Sequence, residues 1–254
     1  LISILKKNGH EVKSVNSRFV SLGFLKEHKS YSFIIANFVQ LSEECKESLL
    51  KKKYIIYEHD HKYLIDRNPA LYDNFQAPKE AIVNYEFYKS AKAILCQSNF
   101  HKIIVEKNLN LGNIVSLGGN LWSEESLRLM EGISRGEKKK SCSIMNSNIG
   151  HKNTSEAIRF CQAKNFDYEL VEDKNYHNFL RKLGSNEKFV FFPKTPETLS
   201  RVVVEARMMG CSTITNNLIG ATKEPWFNLK GPALIEIIRK KRKEIPQIVE
   251  REFR

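Results

Sequence analysis

Apolar and polar positions along the chain alternate in a way that indicates strands separated by helices. Short runs rich in β-branched and aromatic residues are separated by charged segments with helical spacing. Strands that alternate with helices pair in parallel and carry helices on both faces of the sheet, so the pattern predicts an α/β fold. The predicted strands are residues 11–15, 32–39, 53–58, 93–98, 113–118, 142–147, 168–172, 188–192 and 212–216.

A polar stretch near mid-chain interrupts this alternation. We predict that it is a linker, residues 132–141, between an N-terminal Rossmann-like domain, residues 1–131, and a C-terminal one, residues 142–230. The remaining residues, 231–254, have the spacing of a closing helix with a basic run.

The first residues, LISILKKNGHEVKSV, indicate the second half of a helix, a stop at Gly9 and then a strand. We therefore expect the chain to start in the middle of a βα unit. We expect the first domain to be truncated at its N-terminus, with Leu1 not a natural start.

Composition limits the class of protein. The chain has 254 residues, of which 41% are hydrophobic, and this is enough to bury real cores. No apolar run reaches the roughly 18 to 20 residues of a membrane span, and no signal peptide is recognisable, so we expect a cytoplasmic protein. The five cysteines are scattered and form no CxxC pair, which favours reduced thiols over disulfides or a zinc site.

The net charge of +12 is the strongest compositional bias. It favours anionic partners such as phosphates, nucleic acid or an acidic membrane surface, and it does not choose among them. The basic run in residues 231–254 is typical of a solvated helix face. The alternative is a peripheral contact with an anionic surface at the inner face of a membrane.

Two carboxylates mark the segment PETLSRVVVEARMMG, residues 196–210. Thr195 is a candidate N-cap, which would place Glu197 in the first helical turn, where the helix dipole favours an acid. Glu205 follows an apolar run in a helix that should pack on a sheet. On one helix the two α-carbons would lie about 12 Å apart and could flank an extended ligand.

This segment resembles the E-x7-E region of retaining GT-B glycosyltransferases, family 4 in particular. Glu197 and Glu205 fall on the acids of the motif, Ala206 on its alanine, and Gly210 on the glycine that ends its helix. Three other segments resemble parts of the same family in the same order along the chain, namely residues 1–15, 90–120 and 150–160.

The resemblance implies a GT-B-like fold, with two Rossmann-like domains whose parallel sheets face each other across a cleft. It implies a retaining, metal-independent transfer of a sugar from a nucleotide sugar, which is the donor substrate, to an acceptor that is a saccharide, a lipid or a nucleic acid. No other cofactor is expected. Lys152 matches the lysine that neutralises the leaving diphosphate, Glu205 the acid that binds ribose hydroxyls, and Glu197 the acid beside the donor sugar.

The sequence also departs from the family pattern. Ser147 stands where the family has an arginine that shares the phosphate with the lysine. Arg201 could replace that arginine or could have a structural role on the helix surface. The family's glycine-rich turn is replaced by Thr198-Leu199-Ser200, in which Thr198 and Ser200 offer hydroxyl and backbone donors to the donor substrate.

In the first domain, YEHDHKY, residues 57–63, follows a predicted strand. A metal site here would need a third ligand that the sequence does not place, so no metal is predicted. The resemblance suggests that His59 and Asp60 face the acceptor and the donor sugar; the alternative is an ordinary capped loop. Residues 64–78 are rich in turn formers and aromatics, and we interpret them as an acceptor-side loop. Two tryptophans are predicted to be packing residues, namely Trp122 and Trp226.

Two other functions stay open at this point. The missing arginine and the altered turn favour a noncatalytic protein of the same fold that binds a sugar nucleotide. The net charge favours a phage-type, DNA-modifying glycosyltransferase.

Overall fold

The computed structural model describes residues 1–254, and the chain forms two compact units. The first unit contains Leu1–Gly118 together with Lys243–Arg254, and the second contains Gly119–Arg242. Each unit is built on its own four-stranded sheet, and every strand pair is parallel. The two Rossmann-like α/β domains expected from the sequence are therefore confirmed.

The first domain has the strand order β1-β2-β3-β4, so that neighbours in the chain are neighbours in the sheet. Three short 3-10 turns replace a helix between residues 69 and 81. The elements are α1 Ile2–Lys7, α2 Leu22–Glu27, β1 Phe33–Ile35, α3 Glu43–Leu50, β2 Tyr54–Tyr57, α4 Tyr85–Lys89, β3 Ile94–Cys96, α5 Asn99–Leu109 and β4 Ile114–Ser116.

The second domain has the strand order β6-β5-β7-β8. Short 3-10 turns follow β5 and β8. The elements are α6 Glu124–Ser134, β5 Lys139–Met145, α7 Thr154–Ala163, β6 Tyr168–Val171, α8 Tyr176–Gly184, β7 Asn186–Phe191, α9 Arg201–Met208, β8 Ser212–Thr215 and α10 Gly231–Arg251.

Alternation along β7 explains how both faces of the second sheet are buried. Phe189 and Phe191 point to one face, where α6, α8 and α9 contribute to a large apolar core. Val190 points to the other face and packs with Ala157 and Cys161 of α7. Successive side chains of a strand face opposite sides, so a strand covered on both faces is apolar throughout.

The first residues differ from their predicted structure in one respect. Helix α1 ends as expected before Gly9, which has φ +92°. Residues 11–15 form no strand, so this prediction is wrong. Val12 and Val15 lie three positions apart, an offset that puts them on opposite faces of a strand, and Val15 is exposed. The other eight predicted strands are present.

The boundary between the units also differs from the predicted one at residues 132–141. Helix α6 reaches Ser134, and Leu127 and Met130 on it are fully buried in the second-domain core. Strand β5 then starts at Lys139. The polar composition of this stretch reflects exposed positions on two regular elements and the turn between them.

The predicted closing helix is present as α10. Leu234 and Ile238 on its first half belong to the second-domain core. Near its end, Glu250 accepts hydrogen bonds from Asn8 at 3.0 Å and from His10 at 3.1 Å. No helix of the protein has both the length and the apolar character needed to cross a bilayer.

Gly184, the last residue of α8, provides a test of the second-domain packing. A Cβ at this position would lie 2.5 Å from Ile133 Cγ2 and 2.7 Å from Met209 Sδ. We expect Gly184→Ala to lower the free energy of unfolding by about 1–3 kcal/mol through overpacking. Gly132→Ala on α6 is the matched control, because its Cβ would meet nothing within 4 Å. Chemical denaturation of both variants makes the measurement, and equal midpoints would contradict the packing described here.

Candidate functional site

The loops that follow β5, β7 and β8 meet at the carboxyl edge of the second sheet. The backbone N–H of Lys194 donates to the carbonyl of His151 at 2.8 Å, which joins the first two loops. The Asn216 side chain donates to the carbonyl of Pro193 at 2.8 Å, which joins the last two. Open α/β sheets bind their ligands at this edge.

An ion pair at this edge brings two of the predicted site residues together. Lys152 Nζ lies 2.6 Å from Glu197 Oε1, although the residues are 45 positions apart in the chain. The exposed fractions of the two side chains are 24% and 15%. The ammonium group also lies 5.8 Å from the ring centroid of Phe191. The pair is therefore largely screened from water but reachable from it.

Glu197 is held by backbone pairing and not by a helix. Its N–H donates to the carbonyl of Leu218 at 2.8 Å, and its carbonyl accepts from Gly220 at 2.9 Å, in a parallel bridge with Ile219. Helix α9 begins only at Arg201. The prediction that Glu197 lies in the first turn of this helix is therefore wrong, because its backbone groups are committed to the chain after β8.

Ser200 makes the turn from this bridge into α9. It is the N-cap residue and has φ 67°, in the left-handed region, with no side-chain capping bond. Its hydroxyl is buried and has no hydrogen-bond partner. A buried hydroxyl without a partner is costly and is typical of a site that a ligand or water completes. Thr198, the other predicted hydroxyl donor, is half-buried in the same segment.

Glu205 is 3% exposed, and side chains of its own domain hold it. Its Oε1 accepts hydrogen bonds from Trp122 Nε1 at 2.8 Å and from the Tyr176 hydroxyl at 2.7 Å. Burial raises the pKa of Tyr176, and the Glu205 carboxylate acts in the same direction, so the hydroxyl stays protonated and donates.

Arg201 makes the contacts expected of a structural role, which was one of the two roles predicted for it. Its guanidinium stacks on the Trp122 ring, with 4.4 Å between Cζ and the ring centroid. It donates to the carbonyl of Leu121 at 2.8 Å and lies 3.7 Å from Glu205 Oε1. The side chain is still 43% exposed.

In the first domain, the loop after β2 contains a buried charged cluster. The Glu58 carboxylate, which is fully buried, accepts from the backbone N–H groups of His59 and Asp60, each at 3.1 Å. It also accepts from Lys62 Nζ and the Tyr88 hydroxyl. Burial raises the pKa of Glu58, and the Lys62 ammonium opposes this shift.

Asp60 and His59 occupy different environments in this loop. Asp60 binds Lys62 Nζ at 2.7 Å and the Arg67 guanidinium at 2.5 Å. Partial burial opposes its ionisation, but the two cations outweigh burial and lower the pKa of Asp60 to about 2. His59 is exposed, stacks on Tyr57 with 4.9 Å between centroids, and its Nδ1 lies 2.7 Å from Gln97 Nε2. No three His, Cys, Asp or Glu side chains of the protein are grouped as metal ligands.

His101, at the start of α5, links this loop to the next strand. The backbone N–H of Gln97 donates to its Nδ1 at 3.3 Å, so Nε2 carries the hydrogen and donates to the carbonyl of Asp60 at 3.1 Å. Burial lowers the pKa of His101 well below its ordinary value, and neighbouring His61 acts in the same direction. The ring is therefore neutral at physiological pH.

The remaining predictions concern the tryptophans, the cysteines and the basic tail. Trp122 and Trp226 are buried in the second-domain core, as predicted. All five cysteines are buried and unpaired. In the tail, Arg239 pairs with Glu124 and Glu131, at 3.1 Å and 3.0 Å, so part of its basic run is used within the protein.

Some residues of these clusters are not marked by any local sequence pattern. Tyr176 reaches Glu205 from the first residue of α8, 29 positions away, and no local pattern marks it. Glu58 and Lys62 do have a local signal, since they are opposite charges four positions apart that directly follow a buried strand. Only their burial indicates that they form one unit with Tyr88.

Comparisons with known proteins support the fold. No family model matches the chain, and no curated protein sequence matches it. Among solved structures, it is similar to Anabaena HepE (Alr3699) in complex with UDP and glucose, with a TM-score of 0.52 and 14% identity over 96% of this chain and 78% of that one. A HepE complex with UDP-glucose has 10% identity, coverages of 82% and 67%, and a TM-score of 0.43. A HepE complex with UDP has 12% identity, coverages of 88% and 72%, and a TM-score of 0.44.

The first of these likenesses covers nearly the whole chain and therefore both Rossmann-like domains. Together with the two four-stranded parallel sheets, it confirms the GT-B-like fold class that the sequence predicts.

The buried neutral ring of His101 makes stability depend on pH. The unfolded chain binds a proton at this histidine near pH 6.5, and the folded protein does so only at lower pH. Stability therefore falls as pH decreases below 6.5, by up to about 1.4 kcal/mol per pH unit. We expect His101→Gln to flatten this dependence between about pH 6.5 and 5 in urea denaturation series. Parallel curves for the two proteins would contradict the lowered pKa of His101, because the histidine would then bind protons equally in both states.

Proposed function

We propose that this protein is a glycosyltransferase that uses a nucleotide-sugar donor, and that it is a retaining, metal-independent enzyme of the family 4 type. The observation that carries the proposal is the ion pair between Lys152 and Glu197 at the carboxyl edge of the second sheet. These two residues, which the resemblance assigns to the donor, are in direct contact. The fold is similar to that of a protein whose crystal structure contains UDP and glucose.

The role of Lys152 in this proposal is to neutralise the diphosphate of the donor. Its ammonium has three N–H donors and uses one on Glu197 Oε1 at 2.6 Å, so it can bind a phosphate oxygen as well. The free backbone N–H groups at the start of α9 and the unpartnered hydroxyl of Ser200 offer further donors to an anion without a metal ion. Thr198 lies in the same segment and is proposed to join them.

Glu197 is proposed to bind a hydroxyl of the donor sugar and to face the charge that develops at its anomeric carbon. In the transfer, the bond from this carbon to the diphosphate oxygen breaks, and the nucleoside diphosphate leaves with the electron pair. A bond to the acceptor oxygen forms, and the acceptor hydroxyl gives its proton to the oxygen of the leaving diphosphate. A carboxylate beside the developing positive charge lowers the barrier.

Glu205 is proposed to hold the nucleoside end of the donor through ribose hydroxyls. Its Oε1 already accepts from Trp122 and Tyr176, so these two side chains fix the orientation of the carboxylate. Arg201, whose guanidinium is 43% exposed beside the same carboxylate, is proposed to contact the phosphates through the part that is not stacked on Trp122.

His59 and Asp60 remain the candidates for the acceptor side. His59 is exposed, which suits contact with a substrate. Asp60 has a pKa of about 2 and is therefore ionised at neutral pH, so it can accept a hydrogen bond but cannot act as a general acid there. A nucleic acid, a lipid or a saccharide is the proposed acceptor, and contact with an anionic surface through residues 231–254 is proposed as well.

The second candidate is a protein that binds a sugar nucleotide without turning it over. Ser147 in place of the second phosphate ligand favours this candidate, and so does the stacking of Arg201 on Trp122. The two candidates share the donor site and differ only in product formation.

Thermal unfolding in the presence of UDP, GDP, ADP and CMP sugars, with and without EDTA, tests the donor site. One nucleotide family should raise the midpoint, because a ligand that binds only the folded state stabilises it. We expect Lys152→Met to weaken this ligand about tenfold or more, since a charge-assisted contact to the diphosphate is lost. Glu205→Gln should weaken the binding of the free nucleoside as well as the binding of the whole donor.

Lys140→Met is the matched control for this test. It removes the same charge from an exposed position at the start of β5, near the opposite edge of the same sheet. Donor binding that is equal in Lys152→Met and Lys140→Met would overturn the proposed site. Binding without release of nucleoside diphosphate, over a range of acceptors, would select the noncatalytic candidate.

A further inference from the structure

The first domain contains a pocket of about 300 Å³ that is separate from the Lys152 site. It lies at the carboxyl ends of β1 and β2, the edge at which open α/β sheets bind ligands. The residues around it come from the segments after these two strands, from α3 and from the segment before α4. They are Phe38, Val39, Lys46, Lys62, Leu64, Ile65, Arg67, Val83 and Asn84.

The wall of this pocket combines apolar side chains with cations and has no acid. Five of the lining residues are apolar, and three are Lys46, Lys62 and Arg67. The apolar residues Val39 and Ile65 are 51% and 66% exposed, although most apolar side chains of the domain are buried. An apolar group that covered them would gain from the removal of this surface from water.

The three cations differ in how many of their hydrogen-bond donors are already used by acids of the protein. Lys62 is 2% exposed and is shared between Glu58 and Asp60, so it is part of the wall. Arg67 is 45% exposed, and one nitrogen of its guanidinium binds Asp60 at 2.5 Å. A guanidinium has five N–H donors, so the others can bind an anion that enters the pocket.

Lys46 is the second cation that can bind an anion. Its ammonium donates to Asn84 Oδ1 at 3.0 Å, inside the lining, and to Glu43 Oε1 at 2.7 Å. Glu43 is 80% exposed, and a pair with such a partner contributes little, so an anion can replace it.

The backbone lies in the left-handed region at two of these lining residues. Arg67 has φ 57° and Asn84 has φ 58°. Asparagine adopts this region readily, but an arginine does so only with strain. Arg67 lies within the 64–82 loop, whose ends are joined by an antiparallel bridge between Leu64 and Ile82. The bond to Asp60 holds its guanidinium beside the pocket.

From this chemistry we propose that the pocket binds an amphiphilic anion, a phosphate carried on an apolar group. Arg67 and Lys46 bind the phosphate, and Val39 and Ile65 cover the apolar part. If the proposed function is correct, on which this second step rests, the class of acceptor is a hydroxyl-bearing molecule of this kind.

Calorimetry with octyl phosphate, below its micelle concentration, tests the pocket. Inorganic phosphate and octyl glucoside serve as two half-probes, of which the first carries only the phosphate and the second only the octyl chain. Octyl phosphate should bind at least tenfold more tightly than either, because only it matches both parts of the wall. We expect Arg67→Gly to weaken it about tenfold. This variant fits the backbone at φ 57°, so the fold is retained. Ile65→Ser should weaken octyl phosphate and leave inorganic phosphate unchanged.

Lys79→Met is the matched control, since it removes an exposed charge from the same loop outside the lining. Vesicles of phosphatidylcholine with phosphatidic acid distinguish the source of the ligand. Arg67-dependent binding to them indicates a lipid, and binding of octyl phosphate alone indicates a dissolved ligand; both outcomes support the pocket. The proposal is overturned if octyl phosphate binds no better than the half-probes, or if it binds Arg67→Gly and Ile65→Ser as tightly as it binds the unsubstituted protein. Nucleotide-sugar binding through Lys152 is measured separately, so either inference can fail alone.

Discussion

Glu197 donates its backbone N–H to Leu218 and accepts one from Gly220, and this pairing joins the segments that follow β7 and β8. Helix α9 starts only at Arg201, and the carboxylate of Glu197 lies beside Lys152. A helix that began at Pro196 would need the carbonyl of Glu197 as an acceptor, but this carbonyl accepts from Gly220. The geometry of the candidate donor site therefore depends on a few main-chain hydrogen bonds between the segments that follow two neighbouring strands of the sheet.

The charged groups of the two domains are buried to different degrees, and this difference matters for their chemistry. The pair of Lys152 and Glu197 retains some exposure, which suits a site that must exchange its partners for a ligand. The pair of Glu58 and Lys62 has almost none, so its role is to hold the loop after β2 in one conformation. Removal of one partner from a buried pair of this kind is costly, because it leaves an uncompensated buried charge.

Local patterns were sufficient wherever a segment is apolar for reasons of burial alone. The runs at β2 and β7 are buried on both faces and were recognised as strands. The glycine after α9, Gly210, has φ +87° as a helix-ending glycine requires. Patterns failed where a distant partner decides the conformation. Residues 11–15 have no neighbouring strand, and Thr195 is no N-cap because the chain after β8 takes the backbone of Glu197.

The sequence by itself determined the α/β class and most of the strands, since hydrophobic period is a local property, and the family resemblance indicated Lys152, Glu197 and Glu205 as candidates. Only the tertiary structure decided that Lys152 and Glu197 form a pair, that Trp122 and Tyr176 hold Glu205, and that Arg67 and Lys46 line a pocket. These contacts join residues far apart in the chain, and the strand order and backbone pairing that bring them together cannot be read from either segment alone.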